Sequence, residues 1–114
     1  MKDNLLYERV LNLNASAGTN NLTTVKVKQG RIWHVRIVSV ENQTNNFTRL
    51  RIIIVDGNVT YSCFEDISLL AGELYFSDDE LFLREGQQIQ AQLQGCTAGD
   101  VLVMFVHGYW EDIE

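Results

Sequence analysis

Apolar residues recur along this chain in short runs, cut at intervals of roughly eight to twelve residues by glycine, asparagine and aspartate, the rhythm of a sandwich or barrel. Eight runs read as strands: Leu6 to Asn12, Leu22 to Lys28, Ile32 to Glu41, Thr48 to Val55, Val59 to Phe64, Leu74 to Leu83 with a break, Gln88 to Gln94, and Val101 to Tyr109. In the seventh, Ile89, Ala91 and Leu93 point one way and Gln88, Gln90, Gln92 and Gln94 the other, so one face is buried and one is wet. Val25 and Val27 alternate with Lys26 and Lys28 in the same fashion. In the third run Trp33, Val35 and Ile37 form the core side, and the apolar phase then passes to Val38 and Val40, which predicts a bulge near Ile37. No segment has a sustained helical period, although Cys63 to Leu70 has room for one helical turn. Asp56-Gly57-Asn58 carries the glycine that a tight hairpin needs.

Two runs break the alternation. Ile52-Ile53-Ile54-Val55 and Val101-Leu102-Val103-Met104-Phe105-Val106 are apolar at successive positions, and therefore on both faces of their strands. A two-layer sandwich leaves one face of each sheet to water, so these strands call for a loop or a second subunit as cover. A chain this short has little spare loop, and symmetric self-association is the commonest source of cover. The expected subunit contact is placed on Ile53, Val55, Leu102, Met104 and Val106.

The chain has 114 residues, the length of one domain, with 46% hydrophobic residues to supply a core. Its formal net charge of −6 repels a phosphate backbone, and the basic residues make no cluster beyond Arg49 and Arg51, which argues against nucleic acid. No run reaches the length of a membrane helix, and the first residues lack the apolar stretch of a secretory signal, so the chain reads as made in the cytoplasm and soluble. Two cysteines, Cys63 and Cys96, are too few for a disulfide framework or a structural zinc site and are expected to be reduced. Asn21, Asn42, Asn46 and Asn58 begin glycosylation sequons, which without a signal peptide read as turn and strand-edge residues.

Catalytic chemistry is hard to assemble from these residues. His34 and His107 lie in different strands with no carboxylate at a spacing that pairs with them, and His34 is followed by Val35 and Arg36 where a metal-binding cupin has a second histidine. Asp78-Asp79-Glu80 lacks the spacing and internal glycine of a calcium loop. Gly95 to Asp100 leads into a strand, so it offers a phosphate no helix N-terminus. No catalytic residue, metal or cofactor is assigned. Aromatic side chains give the one candidate ligand surface: Tyr109, Trp110 and Tyr61 are the residues placed to stack on a sugar ring.

Eight strands in a chain of this size fit an all-β antiparallel sandwich with jelly-roll topology, two four-stranded sheets face to face. The stretch Leu81-Phe82-Leu83-Arg84-Glu85-Gly86-Gln87-Gln88-Ile89-Gln90-Ala91, then Ala98-Gly99-Asp100-Val101-Leu102-Val103, and the close Val106-His107-Gly108-Tyr109 resemble the end of small jelly-roll structural proteins of tailed bacteriophages. The resemblance implies a capsid decoration or cement protein, often trimeric, that sits on the capsid surface of the virion and binds the major capsid protein between capsomers. It transfers no active site. Residues 1–7 would then be either an arm that reaches the shell or a frayed terminus. The competing expectation is a carbohydrate- or receptor-binding sandwich of a tail fibre or spike, with glycan as the partner.

Overall fold

In the computed structural model, which describes residues 4–113, nine strands make two antiparallel sheets. β1 (Asn4–Asn12), β9 (Leu102–Asp112) and β3 (Arg31–Asn42) lie side by side in the first sheet, and the short β6 (Tyr75–Ser77) and β7 (Leu81–Leu83) both pair with the far edge of β3. The second sheet runs β2 (Gly18–Thr23), β8 (Gln87–Cys96), β4 (Phe47–Asp56), β5 (Val59–Leu69). Counting β6 and β7 as one interrupted strand, this order is the jelly roll. The break expected inside Leu74 to Leu83 is what turns eight strands into nine: residues 78–80, all acidic, leave the sheet between β6 and β7.

The core lies between the sheets. Leu50, Ile52, Ile89, Ala91 and Leu93 from the second sheet meet Val35, Val38, Val40, Leu102, Met104 and Val106 from the first, nearly all with no exposed surface. Four local expectations are corrected. Cys63 to Leu70 is strand throughout most of its length, because β4 supplies a continuous partner; an extra residue at Cys63 and a left-handed Ser68 (φ 58°) absorb the irregularity. β2 ends at Thr23, and only Val27 of the following pair is buried, Val25 being exposed. Ile37 faces outward, since the bulge falls between Val35 and Ile37 and flips the phase one residue earlier than the pattern indicated. Residues 4–7 are paired strand and not an arm, while Met1 to Asp3 lie outside the described residues.

Two devices hold the register. At the bulge, Gly108 faces Val35, and a Cβ there would sit 1.9 Å from the His34 carbonyl oxygen, so only glycine lets β9 pass β3 at this distance. At one end of the sandwich the carboxylate of Asp100, fully buried, gathers the β3–β4 and β8–β9 turns. It accepts hydrogen bonds from Asn42 Nδ2 (2.9 Å), Asn45 Nδ2 and the Thr97 amide (2.8 Å), while Asn42 Oδ1 accepts from the amides of Thr44 and Asn45. Asn42, first residue of a sequon, is thus a buried structural residue. Burial works against the charge on Asp100, but the donors from Asn42, Asn45 and Thr97 outweigh it and hold the carboxyl below its ordinary value of 3.8.

Gly108→Ala is expected to destabilise the fold by about 1–3 kcal/mol or more through backbone overpacking, read from chemical denaturation. Because the folded-state value of Asp100 is depressed, its contribution is present above the unfolded value and is lost as pH falls through the folded one. Acid titration of stability should therefore show a loss below about pH 4 in the wild type that is reduced in Asp100→Asn, a variant already less stable at neutral pH.

Candidate functional site

The two outer faces of the sandwich are chemically unlike. On the second sheet, the outward residues of β8 are Gln88, Gln90, Gln92 and Gln94, flanked by Thr23 and Asn21 of β2 and by Arg49 and Arg51 of β4. They bond to one another and to the backbone: Thr23 Oγ1 donates to Gln90 Oε1 (3.1 Å), Gln94 Nε2 to Gln92 Oε1 (2.9 Å) and Gln88 Nε2 to the Thr24 carbonyl (2.8 Å). Arg49 and Arg51 reach Glu65 on β5 at 2.8 and 3.2 Å. The hydrogen bond from Arg49 is the main cause holding the Glu65 carboxyl below its usual value.

Ile53 and Val55 lie on this outward face, opposite Gln90 and Gln88 on one side and Ser62 and Thr60 on the other. Ile53 is only 4% exposed and Val55 half-buried. Ile53 is thus covered within the chain, among Gln90 and Ser62 as its register neighbours, while Val55 keeps part of its surface open.

The first sheet is different. Its outward rows are Leu5, Tyr7, Arg9 and Leu11 on β1; Val103, Phe105, His107, Tyr109 and Glu111 on β9; and His34, Ile37, Ser39 and Glu41 on β3. Phe76 and Phe82 add the edge rows from β6 and β7. Leu5, Tyr7, Phe76 and Phe82 are more than half exposed. Tyr7, Phe105 and His107 form one aromatic group, with Tyr7 5.9 Å from Phe105 and 5.0 Å from His107 between ring centroids. Together with Leu74, Ser39 and Glu41 they line a shallow depression of about 400 Å³. A second group centres on His34, stacked on Tyr109 at 4.2 Å with the rings 4° apart and capped edge-on by Phe82 at 5.0 Å; the Arg36 guanidinium lies 5.1 Å from the Tyr109 ring. Both His34 ring nitrogens are buried and make no hydrogen bond, and the nearest carboxylate oxygen, on Glu111, is 3.6 Å from Nε2.

The side chains of Leu102, Met104 and Val106 are therefore not on the outer face where a subunit contact was expected. Those three have no exposed surface and belong to the core; Val103 and Phe105 take the outward positions. A strand apolar on both faces carries no parity signal, and the flanking Gly108, which must face β3 at the bulge, was the residue that could have set it. The expected ligand residues do not form one platform. Tyr109 faces outward on the first sheet, Trp110 sits on the opposite side of the same strand beneath Arg31 (3.7 Å from its ring), and Tyr61 is on β5 of the other sheet. Tyr7, Phe76 and Phe82 were not among the expected contacts because they lie far apart in sequence, and only the sheet order brings them to one face.

No model of a known protein family matches the sequence, and no curated protein matches it. Likeness exists among solved structures. An α-L-fucosidase assigned as such in Bacteroides thetaiotaomicron superposes with a TM-score of 0.56 at 8% identity, over 89% of this chain and 22% of that one. This chain thus spans about a fifth of the enzyme's length, and the likeness is to a β-sandwich fold. A chain of infectious bursal disease virus strain Gt gives 0.45 at 9% identity, over 96% of this chain and 31% of that one. A CBM4 carbohydrate-binding module gives 0.41 at 11% identity, over 93% and 94%.

His34→Phe should leave stability unchanged or raise it, because the substitution removes two desolvated nitrogens that bond to nothing and keeps the stack on Tyr109. Urea denaturation checks this; a loss above about 2 kcal/mol would mean the imidazole is engaged after all.

Proposed function

We propose that this chain is a non-enzymatic structural protein that assembles through the aromatic outer face of its first sheet, and that a further copy of the chain is what covers that face. The observation that carries the reading is the contrast between the two sheets: the centre of the second is a row of glutamine, threonine and arginine, with exposed apolar residues such as Ile67 confined to its edge strand β5, whereas the first leaves Leu5, Tyr7, Phe76 and Phe82 open around an aromatic centre. Exposed apolar clusters of this kind mark contact surfaces. Charges of both signs stand in or beside these rows, Arg9 and Arg36 against Glu41 and Glu111, with the carboxylates of residues 78–80 at the margin. A surface with both signs of charge around an apolar centre can be met by another copy of the chain with unlike charges opposed.

Within this reading, the turn and strand pattern of residues 81–109 favours a decoration or cement protein of a phage capsid, bound to the major capsid protein on the virion surface, as a homotrimer. The mechanism is binding alone: many repeated contacts, each of modest affinity, stabilise a shell by avidity. The screened glutamine face of the second sheet is then the side left to solvent. The alternative, glycan recognition at a tail fibre or spike, is favoured by one feature, the depression in which Tyr7, Phe105 and His107 stand beside Glu41.

Sedimentation over micromolar concentrations should show an oligomer. Phe82→Asp, at an exposed position, should shift it to monomer with the melting temperature of the fold retained, whereas Leu102→Glu should unfold the chain. A wild-type monomer at all concentrations overturns the self-assembly reading. Glycan-array binding abolished by Tyr7→Ala would replace it with the alternative.

A further inference from the structure

The edge of the first sheet opposite β6 and β7 carries a second feature, independent of the aromatic face. β1 pairs with β9 on one side only, so among the described strands its other side has no partner. Alongside that free edge runs a cleft of about 200 Å³. Four consecutive β1 residues, Leu5 to Glu8, form one wall, and the segment after β2, with Val25, Lys26 and Lys28, forms the other. Trp33, Trp110 and Arg31 close its end, and the core residue Leu6 faces into it.

Cations are concentrated here against the trend of the chain. Lys26, Lys28 and Arg31 stand around one cleft with Glu8 as the one carboxylate in its lining, in a protein of net charge −6. Arg31 is held in place from two sides, its guanidinium 3.7 Å from the Trp110 ring and its Nε 3.5 Å from Asp112. Lys26 and Lys28 are exposed and form no ion pair among the described residues. Segment 24–28 is tied to β8 and the turn before it, Thr24 and Val27 donating to Ile89 and Gln87 and Gly86 donating to Val27, and not to β1.

We infer that this cleft receives an extended acidic segment of a partner protein, which adds as a strand to the free edge of β1 and sets its carboxylates against Lys26 and Lys28. Unpaired strand edges are templates for such addition, the main chain giving affinity and the side-chain pockets specificity. Alternate side chains of the incoming strand would point toward the cleft floor at Leu6 and Trp33 and away from it. A lone small anion would use the lysines but leave the edge unpaired, which is why a strand and not a free carboxylate is the better occupant.

Both tryptophans of the chain line this cleft, so intrinsic fluorescence reports its occupancy directly. The titrant is a short end-blocked peptide alternating glutamate and valine, run against the glutamine analogue, against the same peptide N-methylated at alternate amides, and against glutarate. The wild-type chain and Phe82→Asp are titrated alike, so that failure of self-assembly and failure of this site are told apart. The expected result is a saturable change in tryptophan emission with the glutamate peptide. Binding should weaken about tenfold or more with the glutamine analogue, with the N-methylated peptide, and in Lys26→Gln/Lys28→Gln. Absence of any saturable change, equal binding by the glutamine or N-methylated peptide, equal binding by glutarate, or indifference to the two lysine substitutions would each overturn the inference. Because both lysines are exposed, the doubly substituted chain should fold; its thermal melt confirms that a lost signal is a lost site.

Discussion

The close passage of β9 beneath the bulge of β3 is the constraint on which the remaining architecture depends. Gly108 admits the His34 carbonyl where any side chain would collide, and the extra residue between Val35 and Ile37 resets which residues of β3 face the core. From that one crossing follow the inward set Leu102, Met104 and Val106 and the outward set Val103, Phe105 and His107. It also sets His34 against Tyr109 and Phe82. The sheet that bears the candidate contact surface is thus organised around its least substitutable residue.

Much of the fold could be read from the residues themselves. The alternation in Gln88 to Gln94 located β8 and its wet face, the Asp56-Gly57-Asn58 hairpin was plain, and the interruption between Leu74 and Leu83 was visible. The site was less legible, for two physical reasons. Side-chain parity in Val101 to Val106 is undetermined when both faces are apolar, so Leu102, Met104 and Val106 are expected outward where Val103 and Phe105 in fact face out. And whether an apolar outward residue is covered depends on neighbours distant in sequence: Ile53 is screened by Gln90 and Ser62, whereas Phe82 has nothing over it. Strand pairing, which no local pattern specifies, decides between the two.

The contrast between the faces also bears on solubility. A glutamine row partly tied by Thr23, Thr24 and its own members turns its remaining amide donors and acceptors to water, a hydrated surface with little incentive for apolar contact. The aromatic face has no equivalent screen. In an assembly the first sheet would be sequestered and the second would remain the wet exterior, giving each subunit a fixed inside and outside.

The acidic break between β6 and β7 has a consequence of this kind. Residues 78–80 carry three carboxylates at the margin of the aromatic face, between the short strands that hold Phe76 and Phe82. Sheets from two molecules that approached edge to edge there would bring like charges together, while face-to-face approach would leave them at the periphery in water. The interruption that shortens the strand thereby acts as a guard on geometry: it discourages strand addition at this edge and with it the open-ended ribbon growth that needs both edges of a sheet.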